Sequence, residues 1–467
     1  IYNKHTGNAF LNSRIGLSYF FLEEYDDAKE YFEMVQSGSL KKKDHDFYYG
    51  YGLTKIMFGD YNGAQKLFKE FLQKGKSSMV KYYKIESLIK QCEFAIKNKE
   101  NPVSVLVESI GDSINSKYDD YHPSVSVDGK LLMFTSRRED SEGSELMDDG
   151  QYKSDVYVSL WNNLYENWGK SSPVEGAINS EGLDANGGIT GDGTGIFIYK
   201  NTSSKKSIIA PIGSGDIFFS KKGSTGKWSA PKIVEGINSR EYDGCPVITP
   251  DGNKLFFVSA RMGSVGGKKS IGNWDIWVSE KQSDDSWGKP RNLGPTVNTS
   301  NHERNIFIHP NGKTLFFSSD GYPEKSFGGL DIYRTDFIDG KWTEPVNLGY
   351  PVNTQFHERE FVVSTDGKVG WLVANRDFER KDYDIYQVDL KHYNVFTGES
   401  EVLSILKGRV IDFSTGLPLK TNIDIKEKEG SYSESISSNS NGNYFNTLVS
   451  NKTYILTVSQ QGYKTFH

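Results

Sequence analysis

Apolar residues in the first hundred positions recur with a helical period. Segments 16–32 and 52–68 share one pattern, in which glycine and alanine alternate with aromatic residues at matching positions. The two copies are offset by 36 residues, measured from Ala28 to Ala64. Small residues allow two helices to approach closely, and the aromatic residues fill the space between pairs. The pattern therefore predicts an all-α helical repeat over residues 1–99.

From residue 103 the period changes to short apolar runs separated by turns. An asparagine followed by Ser or Thr recurs five times, at Asn115, Asn179, Asn238, Asn298 and Asn353. An Asp-Gly or Asn-Gly pair stands 13 residues after each of them. Such pairs favour hairpin turns, because residues in these turns need positive φ. Each unit continues with an apolar run and a strand that begins Asp-Val or Asp-Ile.

Four short strands per unit, repeated around an axis, are typical of a propeller. The pattern predicts an all-β, five-bladed β-propeller over residues 103–392. Only four outer strands led by tryptophan follow the five turns. We therefore expect Val103–Val107 to complete the last blade and remove its free edge.

Residues 405–467 alternate between apolar and polar positions, as at 422–426 and 454–458. This period of two predicts strands of a small β-sandwich, which we expect to continue beyond residue 467. Residues 391–404 are predicted to be the linker. The expected fold class is multidomain: helical repeat, propeller and sandwich.

Composition narrows the classes of function. The formal net charge is −6, whereas a general nucleic-acid binder needs a basic surface to release counterions. No apolar run is long enough to predict a membrane-spanning helix. The two cysteines, Cys92 and Cys245, fall in different predicted domains, so they do not indicate a disulfide or fix the compartment.

A carboxylate stands five residues after every repeated asparagine: Asp120, Asp184, Asp243, Glu303 and Glu358. We expect these residues near the mouth of the propeller channel. One interpretation is a ring that binds a cation or a basic segment, since hard cations favour several oxygen ligands. The other, which we favour, is that each carboxylate stabilises its own repeat through its turn or a nearby arginine.

Other polar and aromatic residues give weaker signals. His122, His302 and His357 lie near the same turns but at unequal offsets, so neither a zinc site nor another metal site is predicted. Hydrolase, zinc-protease and phosphate-loop motifs do not occur, and the chain is predicted to be neither an enzyme nor a cofactor binder. Five tyrosines of the helical repeat could line a groove for a partner or pack between helices: Tyr48, Tyr49, Tyr51, Tyr82 and Tyr83.

Three family resemblances follow from these motifs. The helical copies resemble tetratricopeptide repeats (TPRs) over about two units. The propeller units resemble the WD40-like repeat of the periplasmic TolB type, carried by Asp128-Gly129, Thr135-Ser136-Arg137 and Asp155-Val156-Tyr157. The start of the last region, from Gly408 to Leu419, resembles the carboxypeptidase regulatory-like domain.

In this order, the three regions resemble PorE-type OmpA-family envelope proteins of Bacteroidetes, which are associated with type IX secretion and gliding. The resemblance implies a non-catalytic scaffold in the periplasm at the outer membrane, and it allows for a lipoprotein anchor. It implies outer-membrane partners of the PorP/SprF type and a peptidoglycan-binding OmpA-like domain that this sequence does not contain. The alternative is a ligand- or cation-binding propeller, for glycan or peptide, with the carboxylate ring as its site.

Overall fold

A computed structural model describes residues 8–37, 44–201, 215–223, 225–265, 273–376, 381–396 and 402–467. These residues form a mostly β structure with six helices in its N-terminal region. The chain divides into two compact units. The first contains residues 1–103, 319–332 and 347–358, and the second contains residues 104–318, 333–346 and 359–467. The predicted domain boundaries remain a prediction.

The six helices belong to the first unit. They are α1 (Ala9–Phe21), α2 (Tyr25–Ser37), α3 (His45–Met57), α4 (Tyr61–Lys74), α5 (Ser77–Tyr82) and α6 (Ile85–Glu100). Among the described residues, none of these helices has the length and hydropathy needed to cross a bilayer. Side-chain oxygens of Asn8, Asp44 and Asp60 accept backbone N–H bonds and so begin α1, α3 and α4.

A close helix contact depends on one glycine. The ring of Phe32 lies so near to Gly50 that a Cβ there would clash with it. A larger residue at this position would force the two helices apart or displace the ring. The helix packing therefore agrees with the predicted role of small residues.

The same unit includes a short 3₁₀ helix, Pro323–Lys325, in the loop between Ser319 and Asp331. Phe327 is fully buried against the helices and meets Phe94 with ring centroids 5.4 Å apart. Nearby, Lys90 forms an ion pair with Glu324 at 2.7 Å. This loop therefore contributes to the hydrophobic core of the helices.

Strand β1 (Leu106–Ser109) is followed by five consecutive sheets. The first contains β2 (Asp120–Val125), β3 (Leu131–Ser136), β4 (Asp155–Asn162), β5 (Asn167–Trp168) and β6 (Ser172–Pro173). The second contains β7 (Asp184–Ile189), β8 (Gly195–Asn201), β9 (Gly215–Lys221) and β10 (Lys232–Ile233). The third contains β11 (Asp243–Ile248), β12 (Lys254–Ser259), β13 (Asp275–Glu280) and β14 (Arg291–Asn292).

The fourth sheet contains β15 (Glu303–Ile308), β16 (Thr314–Ser319), β17 (Asp331–Ile338), β18 (Lys341–Trp342) and β19 (Val346–Asn347). The fifth contains β20 (His357–Val363), β21 (Val369–Asn375) and β22 (Asp384–Asp389), and β1 is its fourth strand. Apolar side chains fill the spaces between consecutive sheets: Met133, Val156 and Ile196 lie in one such core, and Phe197, Ile217 and Phe257 in the next. This arrangement is propeller-like.

The N-terminal strand joins the last sheet. Val107 pairs with Val388 in an antiparallel ladder that runs from Leu106 to Ser109. The predicted strand, Val103–Val107, starts three residues too early, because the Val103 N–H instead donates to the Tyr350 carbonyl at 2.7 Å. The pairing removes the free edge that the fifth sheet would otherwise have.

The hairpin turns need only one residue of positive φ. Gly129, for example, has φ 71° and donates its N–H to the Ser126 carbonyl, whereas the φ of Asp128 is not positive. Asp128 instead accepts hydrogen bonds from the Ser126 hydroxyl and the Lys130 N–H. The aspartate therefore braces the turn while the glycine reverses the chain.

The last region forms two small sheets. Strand β23 (Leu403–Arg409) pairs with β26 (Asn443–Val449), and β24 (Asn422–Glu427) lies between β25 (Ser433–Ser437) and β27 (Tyr454–Ser459). Ile423, Ile425, Ile436 and Leu448 form the core between them.

Candidate functional site

The five repeated asparagines, here called the junction asparagines, link neighbouring sheets. Each amide accepts the N–H and donates to the carbonyl of one residue on the third strand of the preceding sheet, at 2.7–3.1 Å. The pairs are Asn115–Ile385, Asn179–Val156, Asn238–Ile217, Asn298–Ile276 and Asn353–Ile332. Because Asn115 takes its partner from the fifth sheet, it joins the two ends of the series.

The five predicted carboxylates are all fully buried: Asp120, Asp184, Asp243, Glu303 and Glu358. Each accepts a hydrogen bond from the Ser or Thr that follows its junction asparagine, as Asp243 does from Ser239 at 2.7 Å. Arg138 pairs with Asp120, and Arg261 with Asp243, both at 2.5 Å, and Lys200 pairs with Asp184 at 2.7 Å.

None of the five lines the central cavity. The expected ring at the channel mouth is therefore not what the structure describes. A buried carboxylate must satisfy its oxygens locally, and the hydroxyls, backbone N–H groups and cations of the repeats do so.

A second buried aspartate begins the third strand of the first, third and fourth sheets: Asp155, Asp275 and Asp331. Burial and the nearby charge of Asp184 raise the pKa of Asp155 to about 7, against the hydrogen bond from the Glu142 N–H. Burial and the charge of Glu358 likewise raise the pKa of Asp331. These two carboxyl groups therefore retain a proton at a higher pH than an exposed aspartate does.

Two of the three histidines considered above bond to the backbone. His302 Nδ1 accepts the Trp274 N–H at 3.3 Å, and His357 Nδ1 accepts the Leu330 N–H at 3.0 Å. In the described parts of the chain, no group of three or more His, Cys, Asp or Glu side chains is arranged to hold a metal ion.

The tyrosines predicted for a helical groove separate into two classes. Tyr48 and Tyr51 are buried in the helical core, and the Tyr48 hydroxyl donates to Glu70 at 3.1 Å. Tyr49 stacks on Tyr83 at 4.3 Å. Tyr82 alone of the five is widely exposed, at 74%. They therefore do not form one groove, because four of them are held by packing within the helices.

A cavity of about 90 Å³ lies where the first strands of all five sheets converge. Each strand contributes to its lining the residue that stands seven positions after the junction asparagine: His122, Asn186, Cys245, Asn305 and Glu360. We call this set the channel ring. The spacing is constant in the sequence, but residue type varies at this position, so no repeated motif marks it.

Three ring residues have a left-handed backbone: His122 (φ 50°), Cys245 (φ 48°) and Asn305 (φ 44°). The ladders of β2, β7 and β11 shift register next to the ring, so these strands carry bulges. A bulge re-aims side chains, and positive φ in residues other than glycine is uncommon and costs free energy. Such strain is concentrated at functional sites.

The ring residues contact one another. His122 Nε2 lies 3.3 Å from Glu360 Oε1 and 3.4 Å from Asn305 Oδ1, and the Cys245 thiol donates to the same Asn305 oxygen at 3.2 Å. Burial lowers the pKa of His122, but the Glu360 carboxylate and the Cys245 and Asn305 side chains outweigh it and raise that pKa to about 9. His122 Nδ1 and Asn186 Oδ1 have no hydrogen-bond partner among the described residues.

Tyr121 and Tyr242 contact residues of the channel ring, and Tyr199 and Trp274 pack on Tyr242; we call these four the aromatic rim. Tyr121 meets His122 edge-to-face at 4.9 Å, and the Tyr242 hydroxyl lies 3.9 Å from Cys245 Sγ. Tyr242 in turn stacks on Trp274 at 4.5 Å. The Arg304 guanidinium lies 4.3 Å from the centroid of the Trp274 ring, so Trp274 is held between Tyr242 and Arg304.

No protein-family model matches the chain, and no curated protein sequence matches it. Solved structures superpose only in part. A luciferin-regenerating enzyme is 11% identical, with a TM-score of 0.36 over 63% of this chain and 98% of its own. A tricorn protease is 14% identical, with a TM-score of 0.32 over 69% of this chain and 28% of its own. A Mycobacterium tuberculosis puromycin-hydrolyzing peptidase is 14% identical, with a TM-score of 0.30 over 68% and 54%.

Proposed function

We propose that the chain is a non-catalytic scaffold of the bacterial envelope, in the periplasm at the outer membrane. In this proposal a TPR-like repeat (1–99), a five-bladed propeller (103–392) and a carboxypeptidase regulatory-like sandwich (405–467) hold outer-membrane proteins of the PorP/SprF type. The partners would belong to a type IX secretion or gliding machine. An OmpA-like domain outside this sequence would link them to peptidoglycan.

The observation that carries the proposal is the architectural use of the repeated polar residues. Every junction asparagine and every repeat carboxylate bonds to its own repeat or to the preceding sheet. Repeats that are hydrogen-bonded to one another in this way form a rigid framework. Repeat architectures are typical of proteins that bind partners over extended surfaces.

The helices supply a surface of the kind that partners cover. Phe10, Phe21 and Tyr82 are exposed by 58%, 65% and 74%. Large exposed apolar side chains commonly mark interaction sites, and aromatic residues dominate the binding energy of many interfaces.

Titration of a detergent-solubilised PorP/SprF-type protein with the full chain tests the proposal. We expect saturable binding that weakens about tenfold when Phe10→Ala and Phe21→Ala are combined. Phe413→Ala, the same change at a fully exposed position of the last region, is the matched control and should leave binding unchanged. Lack of binding, or substrate turnover that Glu360→Gln abolishes, would contradict the scaffold.

A further inference from the structure

Cys245 is the channel-ring residue that carries a thiol. It is partly exposed, and it lines the cavity of about 90 Å³ together with the other four ring residues. The second cysteine of the chain, Cys92, is fully buried in the core of the helices, where burial raises the pKa of its thiol to about 12. The structure therefore presents one of the two thiols to small molecules and shields the other.

A proton donor lies beside this thiol. The Cys245 thiol donates to Asn305 Oδ1 at 3.2 Å, and His122 Nε2 lies 3.4 Å from the same oxygen, so Asn305 holds the two groups next to each other. His122 Nε2 also lies 3.3 Å from Glu360 Oε1. The negative charge of this carboxylate favours the imidazolium form of His122. The four side chains thus combine a thiol with an acid that keeps its proton at neutral pH.

The same cavity is lined by an acceptor that no described residue uses. Asn186 is 3% exposed, and its amide N–H groups donate to the carbonyls of His122 and Met133, but its Oδ1 has no hydrogen-bond partner among the described residues. A buried oxygen is normally paired, with protein, water or a ligand. A molecule with an O–H group would supply the missing donor, and the volume of the cavity limits such a molecule to a few heavy atoms.

We propose that Cys245 is a site of oxidation by small hydroperoxides, with His122 as the proton donor to the departing oxygen. Hydrogen peroxide has the required properties, because it is small and uncharged and its O–H groups suit the Asn186 oxygen. A large oxidant such as glutathione disulfide does not fit the cavity. The inference concerns the second unit alone and a single oxidation of each chain, so it does not depend on the proposed scaffold.

The chemical step is a displacement at oxygen. The Cys245 thiol first releases its proton to solvent, because the thiolate is the nucleophile. The sulfur then attacks one oxygen of hydrogen peroxide. The S–O bond forms as the O–O bond breaks, so the sulfur is oxidised and the peroxide is reduced. The departing hydroxide takes the Nε2 proton of His122 and leaves as water, and His122 regains a proton from solvent. The products are one sulfenic acid and one water.

Trapping of the sulfenic acid tests the assignment. The full chain is treated with hydrogen peroxide and dimedone at neutral pH, and the adducts are located by mass spectrometry. We expect the adduct at Cys245 and none at Cys92. His122→Asn removes the proton donor and should slow the reaction about a hundredfold, since general acid catalysis contributes at least that much. His392→Asn, the same change at an exposed histidine, is the control and should leave the rate unchanged.

The pH profile distinguishes a proton donor from a residue that only holds the ring together. The rate should rise with pH as the thiolate forms and fall again as His122 loses its proton. Burial lowers the pKa of His122, but Glu360 of β20, with Cys245 of β11 and Asn305, outweighs it and raises that pKa to about 9, where the fall should be centred. Glu360→Gln should move the fall to lower pH, and His122→Asn should abolish it.

Other outcomes would overturn the proposal. If Cys245 reacted no faster than free cysteine, or equally fast in the parent and in His122→Asn, the ring would not activate the thiol. If cumene hydroperoxide, a bulky probe, oxidised Cys245 as readily as hydrogen peroxide does, relative to free cysteine, the reaction would not take place in the cavity. An adduct at Cys92 in His122→Asn would show that this variant unfolds, and the pH profile of Glu360→Gln would then decide.

Discussion

The sheet junctions and the channel ring lie within seven residues of each other on the same segments, yet they use repetition differently. The junctions repeat one residue type five times, and each copy forms the same pair of bonds. The channel ring repeats only the position, with four residue types among its five members. Residues that recur in type thus hold the sheets together. Residues that recur in place but differ in type form a site.

Removing one junction carboxylate should have the largest effect. Asp243→Ala leaves the Arg261 guanidinium and the Ser239 N–H without their acceptor in a buried place. Breaking a buried ion pair from one side costs about 3–5 kcal/mol of unfolding free energy. Urea unfolding should show this loss, while Asp112→Asn, at an exposed position, should stay within about 0.5 kcal/mol of the parent.

Removing one junction asparagine should have the next largest effect. Asn298→Ala leaves the N–H of Ile276 without its acceptor, while the Ile276 carbonyl still accepts the Leu293 N–H. One buried backbone donor without a partner corresponds to about 1–3 kcal/mol. Asn167→Ala, on an exposed edge, is the control. A loss for Asn298→Ala no larger than that of the control would show that the amide does not link the sheets.

The channel ring should respond to pH. The folded pKa of His122, about 9, lies above its ordinary value of 6.5, so the protonated form stabilises the fold. That contribution is complete below pH 6.5 and is lost as the pH rises through about 9, a change on the order of 3 kcal/mol. Glu360→Gln should remove this loss from the unfolding free energy measured between pH 7 and about 9.5.

Asp155 provides the control for that measurement. Its folded pKa, about 7, is also raised, so its contribution falls over a lower window, from about pH 4 to about pH 7. Asp155→Asn should reduce the loss of stability over the lower window and leave the upper window unchanged. If Asp155→Asn flattened both, the upper change would not belong to His122.

The smallest effect on stability should come from Arg359, whose guanidinium stacks on the Tyr383 ring. Arg359→Ala removes a side chain that has no polar partner among the described residues, so stability should change by at most about 0.5 kcal/mol. Arg261→Ala, the same change at a junction, should be far more destabilising because it leaves Asp243 buried and unpaired. If Arg359→Ala and Arg261→Ala lowered the unfolding free energy equally, the sheet junctions would be no more important for stability than Arg359.

The sequence predicted the regular features because they depend on local chemistry. Glycine after each turn aspartate, asparagine before each first strand and alternating apolar runs all lie at fixed spacings. It could not predict the channel ring, because positive φ at His122, Cys245 and Asn305, with bulges beside the first two, turns these side chains out of simple alternation. Tyr48 and Tyr51 were ambiguous for another reason: burial of a helical tyrosine depends on neighbouring helices.

The most direct test concerns the junction between the two ends of the sheet series. Asn115 bonds to Ile385, 270 residues away, whereas Asn179 bonds to Val156, 23 residues away. If the five sheets form a closed ring, Asn115→Ala and Asn179→Ala should lower the unfolding free energy equally, by about 1–3 kcal/mol each, because each leaves one buried backbone N–H without its acceptor. A normal loss for Asn179→Ala with almost none for Asn115→Ala would show that the ring is open.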